Sequence, residues 1–301
     1  MNNLYHIPAL LHQTVEGLNI QPDGTYVDVT FGGGGHSRAI LQQLGTEGRL
    51  LAFDRDAEAA QNAISDPRFT FVHSNFKFLK NFLRYHNIEK VDGIVADLGV
   101  SFHHFDSAER GFSFRFNAPL DMRMNQKSDL TAACILNTYA EEALADMFYC
   151  YGELRQARRI AQLIVNERVK RKITNTQHLI EILQPVFSKE KSKKELMLVF
   201  QAIRIEVNDE LSALKSFLQQ TIDVLKQRGR LSVLTYHSLE DRLVKNFFRT
   251  GNFEGQQQKD FYGNLIAPLK PLNTKPIMPT EKEIESNPRA RSAKLRTAEK
   301  I

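Results

Sequence analysis

The sequence predicts an α/β fold in which a long helical insertion interrupts a parallel sheet. Three observations carry this. Residues 26–100 alternate β-rich apolar runs with segments of helical apolar spacing, which is the rhythm of βαβ units. The first run, Tyr26-Val-Asp-Val-Thr-Phe31, stops at the glycines Gly32–Gly35 and passes directly into the helix-like segment Ser37–Leu44. The next clear strand, Arg230–Tyr236, arrives more than a hundred residues after the fourth, across a stretch with almost no strand character.

In order, strands are predicted at Tyr26–Phe31, Arg49–Phe53, Phe69–His73 and Val91–Asp97, with helices near 37–44, 56–64 and 76–87 between them. The insertion opens on an unusual loop, Phe102–Asn125, in which Phe102, Phe105, Phe112, Phe114 and Phe116 interleave with Arg110, Arg115 and Arg123. Helices follow near 129–150, 153–171 and 176–186. A long periodic run then keeps helical spacing through Phe200, Ile203, Val207, Leu211, Leu214, Leu218 and Leu225. From Gly251 to Ile284, glutamines, glycines and four prolines predict a loop or lid and no helix. The expected division is a core formed by residues 1–106 and 213–301, the latter with a basic C-terminal tail, and an inserted helical substrate domain over 107–212.

A chain of 301 residues buries enough apolar surface for such an arrangement. Its net charge of +5 favours an anionic partner. Cys134 and Cys150 stand apart from any histidine cluster, so they read as reduced core thiols, and no metal site is expected. No signal peptide and no apolar run of ~20 residues is visible. The expectation is a soluble cytoplasmic protein without a membrane partner; a homodimer is left open.

The chemistry starts at the glycines. A strand, a glycine turn and a helix start let a nucleotide-like ligand lie against bare backbone. A dinucleotide fingerprint would want its third glycine where Ser37 stands, and a phosphate-binding Walker loop would need a Gly-Lys-Ser/Thr that is missing. A nucleoside without a pyrophosphate remains, and S-adenosyl-L-methionine fits best. Asp54 ends the second strand about twenty residues later, where a carboxylate can accept two hydrogen bonds from ribose hydroxyls. Asp28, inside the first strand, is expected to hold either the glycine loop or the amino group of the methionine.

Asp97 ends the fourth strand in Ile94-Val-Ala-Asp-Leu-Gly-Val-Ser101, and it is a candidate acceptor for an exocyclic base amine or, alternatively, a cap on the following turn. In Tyr236-His-Ser-Leu-Glu-Asp-Arg242, Ser238 and Asp241 fit a capping box, leaving His237 and Arg242 for the substrate. Arg155, Arg158 and Arg159 share a helical face, and the tail 287–296 adds Arg289, Arg291 and Arg296 as unopposed charges, suited to phosphates. Gln201, Arg204 and Asn208 form a polar stripe that is either a solvated face or a hydrogen-bonding surface for something planar. The loop phenylalanines either stack on a flipped base or pack the insertion against the core.

Taken in order, His6–Leu11, Gly32–Ser37, Asp97–Ser101, Glu109–Phe114, Pro119–Met124, Tyr151-Gly-Glu153, Ala157–Ala161, Phe200–Asn208, His237–Arg242 and Asn287–Arg296 resemble the bacterial 16S ribosomal RNA cytosine-N4 methyltransferase family. The resemblance spans nearly the whole chain. It implies a class I, Rossmann-like S-adenosylmethionine-dependent core with an all-helical insert. It also implies methylation of the exocyclic N4 of a cytosine in the decoding region of 16S rRNA, within the small ribosomal subunit. By motif position the cofactor contacts fall on Gly34, Gly35, His36, Asp54, Phe76, Asp97 and His104, with Asp97 catalytic. Candidate substrate contacts are Arg110, Arg123, Arg158, Arg159, Arg204, Asn208, His237, Arg242, Arg289 and Arg291. Two stretches depart from the family pattern. His104 stands where a glutamine is usual, and Lys194–Val199 replaces a lead-in with threonine and arginine. The rival readings are a DNA amino-methyltransferase, against which the absence of an Asp/Asn/Ser-Pro-Pro-Tyr motif counts, and a non-catalytic RNA-binding assembly factor. A nicotinamide oxidoreductase and a serine hydrolase are weaker still, on the glycine spacing and the missing Gly-x-Ser-x-Gly.

Overall fold

The computed structural model describes residues 8–99, 110–188, 192–263 and 265–301, and the chain divides into two compact units. The first comprises the residues up to Gly99 together with Leu211–Ile301; the second is Val100–Glu210.

The first unit is built on a seven-stranded sheet. After helix α1 (Leu11–Leu18) come β1 (Thr25–Asp28), α2 (Gly35–Leu41), β2 (Arg49–Asp54), β3 (Phe69–His73), α3 (Leu79–Tyr85) and β4 (Val91–Asp97). The strand order across the sheet is β3-β2-β1-β4-β5-β7-β6, where β5 is Leu225–Thr235, β6 Leu269–Pro271 and β7 Lys294–Lys300. Strands β1 to β5 pair in parallel, while β7 runs antiparallel between β5 and β6.

Both faces of the parallel strands are covered, and the period-2 alternation of their side chains shows how. Val27, Leu51, Ile94 and Ala96 face one way, into a core with Leu79, Leu83, Leu214, Phe217, Leu218 and Phe247. Tyr26, Leu50 and Val95 face the other, against Val15, Leu18, Ile40 and Leu41. Burying rings such as Phe217 and Phe247 stabilises by roughly 2–3 kcal/mol each.

The second unit is helical: α4 (Ala132–Thr138), α5 (Glu141–Gly152), α6 (Ala157–Arg168), α7 (Thr176–Leu183) and α8 (Ser192–Asn208). Thr131 caps α4 through the Cys134 amide and Asn175 caps α7 through the His178 amide. The core is shared by Phe148, Ile160, Ile164, Leu179, Val199 and Ile203.

Several elements differ from expectation, each for a local reason. Strand β1 ends at Asp28, where the chain bends at Val29, although the Val29 and Phe31 amides still bond to the Val95 and Phe53 carbonyls. The helix expected near 56–64 is a 3-10 turn, Ala57–Asn62, capped by Asp56. The long periodic run breaks in two at Asp209, whose φ of 51° stops α8 before α9 (Glu210–Val224) begins. The predicted loop 251–284 contains β6 and the start of a short helix (α11, Glu281–Ser286), which Thr280 caps. The basic C-terminal segment is no tail: it forms β7, an interior strand whose Arg296 is buried. Cys134 is half-buried and Cys150 exposed, so neither is a core thiol. No helix among the described residues is long and apolar enough to cross a membrane.

Candidate active site at the carboxyl edge of the sheet

In a parallel sheet the carboxyl ends of the strands share one edge, and this edge gathers acids. Asp28 pairs in register with Ala52 of β2 and Val95 of β4, so Asp54 and Asp97 each lie two residues beyond that line. Leu234 of β5 pairs with Asp97, which brings Tyr236 to the same edge.

The glycine loop connects β1 to α2. Gly34 has φ 76°, a left-handed conformation that suits glycine, and a Cβ there would lie within 2.9 Å of Phe31 and Arg38. Gly32 also has positive φ, and the space around its missing side chain is open, with nothing nearer than the Thr30 carbonyl at 4.0 Å. Bare backbone therefore faces the edge at Gly32. Gly35 serves a different purpose, since a Cβ there would stand 2.3 Å from Pro8. The approach of the N-terminal chain accounts for that glycine without any ligand.

Asp28 is almost completely buried. One oxygen accepts from the Thr30 amide at 3.1 Å and the other from the Ser37 hydroxyl at 2.7 Å. Of its two expected roles, the geometry matches the first: it ties β1 to α2 and holds the loop. Burial raises its pKa to about 6, with the neighbouring Asp54 adding to the rise. Asp54 accepts from the Gly32 amide at 2.8 Å and the Asp56 amide at 2.9 Å, and burial raises its pKa as well. Phe76 leaves the end of β3 half-buried, its ring against Phe217 at 5.4 Å.

Asp97 is held from three sides. Its amide donates to the Thr30 hydroxyl at 2.6 Å, one carboxylate oxygen accepts from the Tyr236 hydroxyl at 2.7 Å, and the other lies 3.8 Å from Nδ1 of His36. Its side chain keeps 22% exposure, unlike that of Asp28. Burial pushes its pKa to about 7, opposed by the Tyr236 hydrogen bond and reinforced by Asp28 and Glu240. His36 is buried, which lowers its pKa to about 4, so the imidazole beside Asp97 is neutral at pH 7. Its Nε2 is buried without a hydrogen-bond partner. Among the described residues, no lysine or arginine forms an ion pair with Asp28, Asp54 or Asp97.

Tyr236 and Glu240 went unrecognised as parts of this site in the sequence. The Glu240 carboxylate is buried and accepts from the Tyr236 amide at 3.0 Å. Their signal was positional: Tyr236 follows the strand end in register with Asp97, and Glu240 lies one helical turn further on.

The helix after β5 is α10 (Ser238–Thr250), and its N-cap is His237, not Ser238. His237 Nδ1 faces the Glu240 amide at 3.5 Å and Nε2 lies 3.2 Å from the Glu240 carboxylate. Asp241 completes no capping box; it pairs with Arg296 at 2.7 Å. Arg242, Arg289 and Arg291 are exposed in the first unit, as are Arg158 and Arg159 in the second.

Within the second unit, the remaining expected substrate residues hydrogen-bond to their own unit. Arg110 is buried, donating to the Arg123 and Met124 carbonyls with its guanidinium over the Phe112 ring. Arg123 makes a bidentate pair with Asp121 at 2.8 and 2.7 Å. Arg204 grips Glu210 through two bonds of 2.9 Å, and Asn208 accepts from the Met124 amide and donates to the Met122 carbonyl. Gln201 donates to the Tyr151 carbonyl. The stripe on α8 thus stitches the loop 110–125 and the helix ends together. Phe112 packs into this unit's core, and Phe114 packs against it beside Phe200. His104, Phe102 and Phe105 lie outside the described residues.

A loop of open glycine backbone, an unpartnered buried imidazole nitrogen and three carboxylates that form no ion pair with a lysine or arginine among the described residues make a site suited to a positively charged nucleoside. Comparison with known proteins agrees with an enzyme of that kind. Residues 3–301 match the model of a family described as the MraW methylase family. A Bacteroides thetaiotaomicron protein named ribosomal RNA small subunit methyltransferase H is 60% identical over 98% of this chain and 97% of its own length. Proteins of the same name from Parabacteroides distasonis and Flavobacterium johnsoniae are 58% and 55% identical, over 100% and 99% of this chain and 99% and 98% of their own lengths. With a family match over almost its entire length, this chain belongs to the MraW methylase family.

Proposed function

We propose that this chain transfers a methyl group from S-adenosyl-L-methionine to the exocyclic N4 of a cytosine in the decoding region of 16S rRNA, in the small ribosomal subunit. The observation that carries this reading is the Asp97 carboxylate. It is partly exposed, held by the Tyr236 hydroxyl while Thr30 holds the Asp97 amide, and placed beside the glycine loop with no lysine or arginine paired to it among the described residues.

The residues present fit the cofactor. Burial, with added repulsion from Asp54 on Asp28 and from Asp28 and Glu240 on Asp97, raises the pKa values of Asp28 and Asp97, and the cofactor's cationic charge would offset that rise. Backbone at Gly32 and Gly34 would lie along the nucleoside, Asp54 at its ribose, Phe76 beside its adenine, and the unpartnered His36 nitrogen toward its polar atoms. When bound, it supplies an electrophilic methyl group on a sulfonium.

The exocyclic amine of cytosine is a poor nucleophile, because its lone pair delocalises into the ring. Asp97 answers this by accepting a hydrogen bond from N4–H, which favours a pyramidal nitrogen. Methyl transfer to N4 would leave that nitrogen cationic, and Asp97 is placed to take one of its protons. A pKa of about 7 suits a base working near neutral pH. Alignment supplies much of the remaining barrier reduction.

We assign phosphate contacts to the exposed Arg158 and Arg159, and to Arg242, Arg289 and Arg291. Arg110, Arg123, Arg204, Asn208 and His237 act on the substrate by shaping the surfaces that carry those contacts.

The test is methyl transfer from labelled S-adenosylmethionine to small subunits isolated from cells lacking this protein, with the product nucleoside identified by mass spectrometry. N4-methylcytidine at one site is expected, with transfer at saturating S-adenosylmethionine reduced at least ~100-fold by Asp97→Ala. Near-normal turnover by that variant would make Asp97 a structural cap. Methylation of DNA instead of rRNA would overturn the substrate.

A further inference from the structure

Between α10 and β6 the chain projects an arm with an anchored base and two exposed rings near its turn. At the base, the Phe253 ring stacks on buried Phe247 at 5.2 Å and 18°, and Asn246 holds the Phe253 carbonyl at 2.9 Å. Asn252 braces Gln256 through its amide at 3.0 Å. Two short arms then run antiparallel, with the Ile266 amide bonded to the Gln258 carbonyl at 2.8 Å and a bridge between Lys259 and Leu265. At the turn, Asp260 accepts from the Tyr262 amide through its side chain and from the Gly263 amide through its carbonyl, and Gly263 adopts φ 86°.

This construction presents Phe261 and Tyr262 to solvent at 98% and 87% exposure. Two adjacent aromatic rings so displayed are unusual on a soluble surface unless something covers them. The rings stand at 88° to one another, so each leaves a face free. Their surroundings are exposed Gln256, Gln257, Gln258 and Lys259 on a chain of net charge +5. Aliphatic side chains are absent from the tip itself; Leu265 and Ile266 sit on the returning arm, about half exposed. Rings with free faces, flanked by glutamine amides and Lys259, with the Asp260 carboxylate engaged by the Tyr262 amide, match a nucleobase better than an apolar protein patch.

We propose that Phe261 and Tyr262 form a stacking finger that captures unpaired bases of the ribosomal RNA substrate. The proposal rests on the RNA-methyltransferase reading above and adds a binding surface to it. Base stacking on an exposed ring is sequence-tolerant, so the finger contributes affinity and placement while Asp97 selects the amine.

The chain contains no tryptophan, so Phe261→Trp installs a single tryptophan at the tip, excited apart from the tyrosines. Titration with protein-free 16S rRNA should quench its emission. Separately, the Phe261→Leu/Tyr262→Leu double variant should raise KM for small subunits roughly 10-fold or more, leaving kcat and S-adenosylmethionine affinity unchanged. Phe261→Trp should keep the wild-type KM. No quenching by rRNA, or an unchanged KM in the double-leucine variant, overturns the finger. Wild-type KM with leucines but a raised KM with Phe261→Ser/Tyr262→Ser would identify an apolar protein partner instead, and also overturns it. If the wild-type protein transfers no methyl group to subunits, the functional reading fails, and the quenching experiment still decides whether the tip stacks on RNA.

Discussion

The Tyr236 hydroxyl donates to Asp97 at 2.7 Å, joining the ends of two neighbouring parallel strands across the candidate active site. The bond exists because Leu234 and Asp97 are in register, so the residue two positions past Leu234 reaches the carboxylate. It also has an electrostatic consequence. Burial raises the pKa of Asp97, and the tyrosine hydrogen bond is the largest influence opposing that rise.

Tyr236→Phe removes this opposition with little change of shape. Asp97 then stays protonated to higher pH, so the acid limb of the methyl-transfer profile should move up by about half to one pH unit. At pH 7 the rate should fall about 2- to 6-fold and recover toward wild type by pH 9. Superimposable pH–rate profiles for the two proteins would show that the hydroxyl has no hold on the base.

The sequence made the sheet legible where its signals were local. Val91–Asp97 and Phe69–His73 were bounded to the residue, since apolar runs between polar turns leave little choice of strand. Asp28, Asp54 and Asp97 could be placed on one edge because parallel strands share a carboxyl end. What stayed hidden depended on distant partners. Arg296 reads as a free cation until Asp241 is seen beside it, and Lys294–Lys300 looks like a tail because its strand partners lie far away in sequence. Likewise, the stripe Gln201, Arg204 and Asn208 advertises hydrogen bonding without revealing that its partners are Tyr151, Glu210 and the Met122 and Met124 backbone. Asp209 breaks a seamless apolar period through its backbone conformation alone.

The acids of the site predict a pH-dependent response to ligand. Asp28 and Asp97 have folded-state pKa values of about 6 and about 7, above their unfolded value of 3.8. Their contribution to stability is therefore complete below about pH 4 and is lost as pH rises through 6 and 7, by on the order of a few kcal/mol. A bound cation reverses that loss. Thermal stabilisation by S-adenosylmethionine should accordingly grow from pH 5 to pH 8. The growth should be smaller with S-adenosylhomocysteine, whose sulfur is neutral. Equal growth with both ligands, or a flat response to S-adenosylmethionine, would show that the carboxylates do not sense the sulfonium charge.

Arg296 tests whether the C-terminal segment is strand or tail. On β7 it lies opposite Val233, 7% exposed, with its guanidinium bonded to Asp241 of α10 at 2.7 and 3.3 Å. Arg296→Ala leaves Asp241 largely buried with only Lys294, 3.6 Å away, to offset its charge. Removing one member of such a pair costs more than the pair contributes, because the survivor keeps its desolvation penalty. Urea unfolding should show a loss of about 2–4 kcal/mol. Asp241→Ala combined with Arg296→Ala should cost less than the sum of the single variants. By contrast, Arg289→Ala and Arg291→Ala, in the exposed turn just before β7, should stay within about 0.5 kcal/mol of wild type. A similarly small loss for Arg296→Ala would mean that this segment's charges are solvated, and that β7 gains nothing from its link to α10.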